Sequence, residues 1–228
     1  MNLSLRLKTI AGMVRFPTLA DVGTDHAFLP IELCRKNLVK KAAACDVNKG
    51  PLEHARINIS QYGLNQYIET RLGSGLESLR PFEFETLVIA GMGGALIEKL
   101  LSEHLETAKS FKQIILQPQR NLYDLRFFLI GNGFKLIDEK IIFDNDVHYF
   151  IFEVIAGESM PYTIEQLYFG AYAQDMPKNA FLSYLSEEIR RLEKHEFVKL
   201  KSETQNYLAL CKDIVYKTLD SGVLRVYN

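Results

Sequence analysis

The chain has 228 residues, 47% hydrophobic and 24% charged, which suits one sizeable globular domain with an appendage. Its net charge of −1 argues against a protein that grips nucleic acid by bulk positive charge, and no apolar run is long enough to span a membrane. The first residues, Met1 to Arg6, lack the apolar core and small-residue cleavage site of a signal peptide, and Cys34, Cys45 and Cys211 are odd in number, far apart and without a CxxC pair. Neither a disulfide framework nor a metal site is suggested, and a cytoplasmic home is expected.

Residues 1–20 carry Arg6, Lys8 and Arg15 and no acid. A buried strand is expected over 19–23, a helix over 27–38 and a second strand over 42–46. A helix over 50–62 ends at Gly63. A third strand, 68–72, is stopped by Gly73-Ser74-Gly75. The fourth, 86–90, runs into Gly91-Met92-Gly93-Gly94, with a helix to about 105. The fifth, 113–117, ends at Pro118, and a helix follows to about Ile130. Residues 134–143 and 148–156 read as antiparallel strands about an Asp144-Asn145-Asp146 turn.

Such alternation implies an α/β domain: a Rossmann-like, mostly parallel sheet with helices on both faces. Its ligands bind at the carboxyl ends of the strands, where the Gly and Asp residues fall. After Gly157 no strand pattern follows. A short helix is expected over 163–174, then one kinked helix or two antiparallel ones from Lys178 to about Thr218. Leu182, Leu185, Ile189 and Leu192 form a coiled-coil-like seam that restarts on Phe197, Leu200, Tyr207, Leu208, Cys211 and Val215. The expected division is a ligand-binding domain over 1–157 and a helical C-terminal extension over 158–228. The extension reads either as a hairpin closing the domain or as an arm bracing a large substrate.

The first candidate site is Asp21-Val22-Gly23-Thr24-Asp25-His26-Ala27. Gly23 permits a tight turn and close backbone approach to a ligand, and the next helix presents free N–H groups. The G-x-G-x-x-G of dinucleotide enzymes is missing, and two carboxylates stand in its place. Carboxylates suit a cationic ligand bearing amino and hydroxyl groups, such as S-adenosylmethionine. Asp46, 25 residues after Asp21, stands where an acid takes ribose hydroxyls. Gly73, Ser74 and Gly75 are placed against an adenine, and Ala90, Gly91 and Met92 line the site with bare backbone. The Pro-Pro-aromatic motif often found there in base-modifying methyltransferases is absent.

Together, Asp21 to Ala27, Ile89-Ala90-Gly91-Met92-Gly93-Gly94-Ala95-Leu96-Ile97 and Leu116-Gln117-Pro118 resemble the bacterial tRNA (adenine-22-N1) methyltransferases over essentially the whole length. One departure is Gln119, where the family pattern has Asn. The resemblance implies transfer of a methyl group from S-adenosylmethionine to adenine N1 of tRNA. N1 already has a lone pair, so no strong base is needed, but the product base is cationic. Asp25 is the candidate group to stabilise that charge or take a proton, with His26 orienting it. The Watson–Crick edge is reached only by an extruded base, for which Gly93, Gly94, Gln117, Pro118 and Arg6 are the candidate contacts. Affinity for RNA then rests on phosphate contacts, and no obligate protein partner is evident. The residues alone leave two alternatives open: a small-molecule methyltransferase, and a non-catalytic Rossmann-like RNA- or nucleotide-binding protein.

Overall fold

The computed structural model describes residues 3–171, 173, 176–194 and 201–221. Its centre is a seven-stranded sheet in the order β3-β2-β1-β4-β5-β7-β6. The strands are β1 Thr18–Val22, β2 Lys41–Asp46, β3 Ile68–Leu72, β4 Thr86–Met92, β5 Gln113–Pro118, β6 Phe134–Asp144 and β7 Val147–Ala156. The first five pair in parallel, and β7 joins β5 antiparallel. Chain order reverses between β1 and β4, and such a switch point opens the crevice in which doubly wound sheets hold ligands.

Alternation along the strands builds two cores. Ala20, Leu87, Ile89, Ile114 and Leu116 face one side, while Leu19, Val88 and Ile115 face the other. The second side is covered by α1 Leu5–Met13, α2 Phe28–Arg35 and α3 Lys49–Gln61. The first is covered by α4 Gly94–Ser102, α5 Leu105–Lys109 and α6 Leu122–Gly131. Helix α1 has no counterpart in the sequence reading; Ser4 caps it by accepting from the Leu7 amide. The single helix expected after β4 is divided at Glu103 and His104. The β6–β7 turn is a tight one, with Asn145 and Asp146 both left-handed as a type I′ hairpin requires.

The chain past Gly157 forms α7 Ile164–Phe169, α8 Lys178–Glu193 and α9 Ser202–Ser221. Helix α7 is shorter than expected because Gly170, at φ +90°, turns the backbone left-handed. Two helices follow, not one kinked helix. On the seam, Leu185, Leu192, Leu208 and Cys211 are buried, whereas Phe197 and Leu200 lie outside the described residues. Phe169, Phe181, Leu185, Cys211 and Ile214 belong to the same apolar cluster as Phe134, Phe150 and Phe152 of the sheet. No described helix is long and apolar enough to cross a membrane.

Candidate active site

The carboxyl ends of β1, β2, β3 and β4 converge on two cavities that share Gly23 and Ala90. The larger, about 310 Å³, is lined by Asp46, Gly73, Ser74, Gly75, Gly91 and Met92, with Leu96 and Leu100 as an apolar wall. The smaller, about 210 Å³, holds Arg6, Asp21, Thr24, Asp25, His26 and Phe28. Gly23 stands between them at φ +79°, and the Met92 methyl occupies the space a Cβ there would need. A ligand spanning both cavities passes over bare backbone at Gly23 and meets Met92, a side chain flexible enough to move aside.

Asp21 is the last residue but one of β1 and is 8% exposed. Burial pushes its carboxyl up to about 6, against a hydrogen bond from Thr24 and the positive charge of Arg6. A buried acid so held is costly in its charged form unless a cation arrives. Asp46 ends β2, and its Oδ1 accepts from the Asn48 amide at 2.7 Å. That bond fixes the side chain at the cavity rim and leaves the second oxygen for a ligand hydroxyl. Helix α2 begins behind Ala27, a left-handed residue that offers no side-chain cap, so its first amides remain free for an anionic group. Together these suit an ammonium, a carboxylate, a vicinal diol and a flat ring against Leu96 and Leu100.

Gly91 is the structural pivot of β4. Pairing with β5 runs Ala90 to Gln117 and then Met92 to Pro118, so Gly91 is a bulge at φ +80°. Its amide leaves the ladder and donates to Gln117 Oε1 at 3.1 Å. The same oxygen accepts from Arg6 at 2.9 Å, and the guanidinium also lies 5.7 Å from the Tyr149 ring centre. Gln117 is fully buried and its amide nitrogen donates to the Pro118 carbonyl, so it reaches a substrate only through the groups it holds. Gly94 is likewise a packing residue: a Cβ there would stand 2.6 Å from the Asn121 carbonyl oxygen. Gly93 faces the Arg120 side chain, 3.1 Å from the same imagined Cβ to Nε. Pro118 is buried at the end of β5, and Gln119 beyond it is exposed.

Asp25 and His26 stand side by side, with His26 Nε2 at 3.2 Å from Asp25 Oδ2 and the Asp25 side chain 72% exposed. The His26 ring stacks between Phe28 and His54, at 5.0 and 5.2 Å between centres, and Asn58 holds its carbonyl. Ligand-type atoms of Asp25, His26 and His54 come within 4.8 Å of one another. Yet the two imidazoles lie only 9° from parallel, which aims their in-plane lone pairs side by side instead of at a common point. His54 and Tyr149 escaped the sequence reading. A histidine in α3 and a tyrosine in a hairpin carry no local spacing that ties them to the first motif.

A flexible loop over 73–83 would blur the Ser74 wall, and a charge clamp holds it. Arg71 binds the Ser78 carbonyl at 2.8 Å and grips Glu83 through both guanidinium nitrogens. The Arg71 hydrogen bonds hold the Glu83 carboxyl down at about 2.

A parallel sheet with an acid near the end of β1, an acid closing β2 and a glycine bulge closing β4 defines a Rossmann-type domain built for a cationic nucleoside, the class of nucleoside-dependent methyltransferases. Residues 3–152 match the family described as a methyltransferase domain. The tRNA (adenine(22)-N(1))-methyltransferase of Bacillus subtilis is 33% identical over 159 residues, 69% of this chain and 67% of that protein. A Streptococcus pneumoniae structure in complex with S-adenosyl-L-methionine matches at TM-score 0.84 and 32% identity, covering 96% of this chain and 100% of the other. TrmK of M. capricolum, solved with S-adenosyl-homocysteine, matches at TM-score 0.79 and 27% identity over 98% and 99% of the two chains. The chain belongs to the tRNA (adenine(22)-N(1))-methyltransferase family.

Proposed function

We propose that the chain transfers the methyl group of S-adenosyl-L-methionine to N1 of adenine 22 in tRNA. The observation that carries this reading is the buried, cation-seeking Asp21 beside Asp46 at the switch point, in a chain of this family. In it Asp21 faces the ammonium, Asp46 the ribose diol, and Ser74, Leu96 and Leu100 the adenine of the cofactor. The cofactor supplies an electrophilic methyl group on a sulfonium. The protein holds the target base in line with that methyl and excludes water around it. As N1 bonds to carbon, positive charge moves from sulfur to the purine. Asp25, steadied by His26, is the carboxylate that meets it.

Arg6, placed by Gln117, presents its charge to an RNA phosphate beside the Gly91 bulge. The helical extension over 158–228 braces the RNA, and the exposed Arg190 in the last turn of α8 suits that task. Three buried free cysteines suit a reducing compartment, and we place the protein in the cytoplasm. The test is methyl transfer to unmodified tRNA transcripts, with mass-spectrometric mapping of the product nucleoside. The expected product is 1-methyladenosine at position 22. Cofactor binding without any methylated nucleoside would overturn the reading.

A further inference from the structure

A further cavity at the carboxyl edge of the sheet lies apart from the groups that hold the cofactor. It measures about 430 Å³ and lies between the loop that leaves β5 and the helices after Gly157. Its walls are rings: Tyr123 of α6, Tyr168 of α7, Tyr184 of α8, Tyr207 of α9, and His148 and Phe150 of β7. Tyr168 is the hub, 4.6 Å from Tyr123 and 4.8 Å from Tyr207 between ring centres.

Two arginines frame the cavity, and they differ. Arg191 is neutralised by Glu188, which it holds at 2.9 and 2.8 Å, and Glu188 also accepts from Tyr207. Arg120 is exposed and pairs with no carboxylate among the described residues. Its side chain lies against Gly93, which follows Met92 of the reaction-site cavity.

The polar edge is also unfinished. The His148 side chain is 4% exposed, and its Nδ1 meets Glu187 at 3.1 Å. Its Nε2 is buried and has no partner among the described residues. Flat aromatic walls and an uncompensated guanidinium suit a planar heterocycle attached to a phosphate. Unstacked RNA bases are held in this way, on tyrosine faces beside arginine.

We propose that this cavity receives the base of a nucleotide next to the target adenine, unstacked against Tyr123 and Tyr168, while Arg120 holds the phosphate that joins the two. The proposal rests on the tRNA methyltransferase reading. It makes extrusion of the target a two-base event: the neighbour is parked on one side of Arg120 and the target is presented on the other.

The test is steady-state kinetics on tRNA transcripts with Tyr123→Ala, Tyr123→Phe and Arg120→Ala. A lost base–aromatic stack is worth about five- to 150-fold in affinity. Tyr123→Ala and Arg120→Ala should each raise KM for tRNA about tenfold, with kcat within twofold and cofactor affinity unchanged. Tyr123→Phe should restore the wild-type KM, since the ring and not the hydroxyl supplies the stack. A transcript abasic at position 21 or 23 should raise the wild-type KM by a similar factor and add nothing in Tyr123→Ala. Arg120 is exposed, so its variant reports even where a tyrosine change disturbs the fold.

Unchanged KM in both alanine variants, with the wild type active, would overturn the proposal. So would a fall in kcat at constant KM, which would place the reacting adenine itself in the cavity. A wild type that methylates no tRNA would instead remove the reading beneath it.

Discussion

Asp21 makes cofactor affinity depend on pH. Its carboxyl titrates at about 6 in the ligand-free protein because burial opposes its charge. An ammonium beside it demands the ionised form. With that midpoint, about 90% of the molecules are ready at pH 7 and about 10% at pH 5, so affinity should fall about tenfold between them, or about 1.4 kcal/mol. The α-amino group of the ligand titrates near 8, outside this window. Stability of the free protein should run the other way. Between the ordinary 3.8 and about 6 the folded state binds the extra proton, so stability drops as pH rises through that range, by about 3 kcal/mol. Bound cofactor offsets that loss at neutral pH. Calorimetric titration with S-adenosyl-L-methionine from pH 5 to 7.5 at fixed ionic strength reads the effect directly. Asp21→Asn should bind weakly with no slope. Asp46→Ala should bind about tenfold more weakly, through the lost ribose bonds, yet keep the slope. A flat wild-type profile across this range would refute the assignment of Asp21 to the ammonium.

Asp25→Asn keeps the shape and removes the charge, so single-turnover methyl transfer should slow at least about tenfold while cofactor affinity stays within a few-fold; a wild-type rate removes Asp25 from the chemistry. Gln117→Leu strands the Gly91 amide and frees Arg6, which should cost about 1–3 kcal/mol in denaturant unfolding and raise KM for tRNA; a variant with unchanged stability would deny the bulge its anchor. Glu83, held down by Arg71, contributes stability present above the ordinary carboxyl value of 4.5 and lost as pH falls toward about 2. Acid unfolding of Glu83→Gln should lack that component, and superimposable wild-type and variant profiles would show the clamp to be idle.

The five parallel strands were legible because each is a local signal. Apolar runs stopped by glycine, aspartate or proline gave β1 to β5, and the 25-residue spacing singled out Asp21 and Asp46, which the fold sets at the carboxyl ends of neighbouring strands. Helix α1 was not legible: its apolar residues are weakly segregated and Gly12 lies within it. Gln117 carried a motif, yet its function is to hold Arg6 and Gly91, and those bonds span 111 and 26 residues. The tyrosine cavity shows the limit most clearly. Tyr123, Tyr168, Tyr184 and Tyr207 come from four helices with no common period. Only the packing of α7 on α6, and of α8 on α9 and the β6–β7 hairpin, makes them neighbours.

That packing is keyed to the sheet by one buried group. Arg126 in α6 is fully buried and binds Glu139 of β6 at 2.9 Å through Nε, with the Phe152 ring centre 4.7 Å away. Its Nη1 donates to the carbonyls of Leu167 and Tyr168 at 2.9 and 3.1 Å. Gly170 closes over the pair, and the space a Cβ would need there is filled by the Glu139 carboxylate. A buried ion pair tolerates neither the loss of a partner nor the entry of water without a cost of about 3–5 kcal/mol. The change of composition at Gly157 therefore marks where strands end, and the core continues past it. Tyr168, whose carbonyl Arg126 holds, is the same residue whose ring centres the aromatic cavity. The sheet, α6 and α7 are thus joined through one buried ion pair.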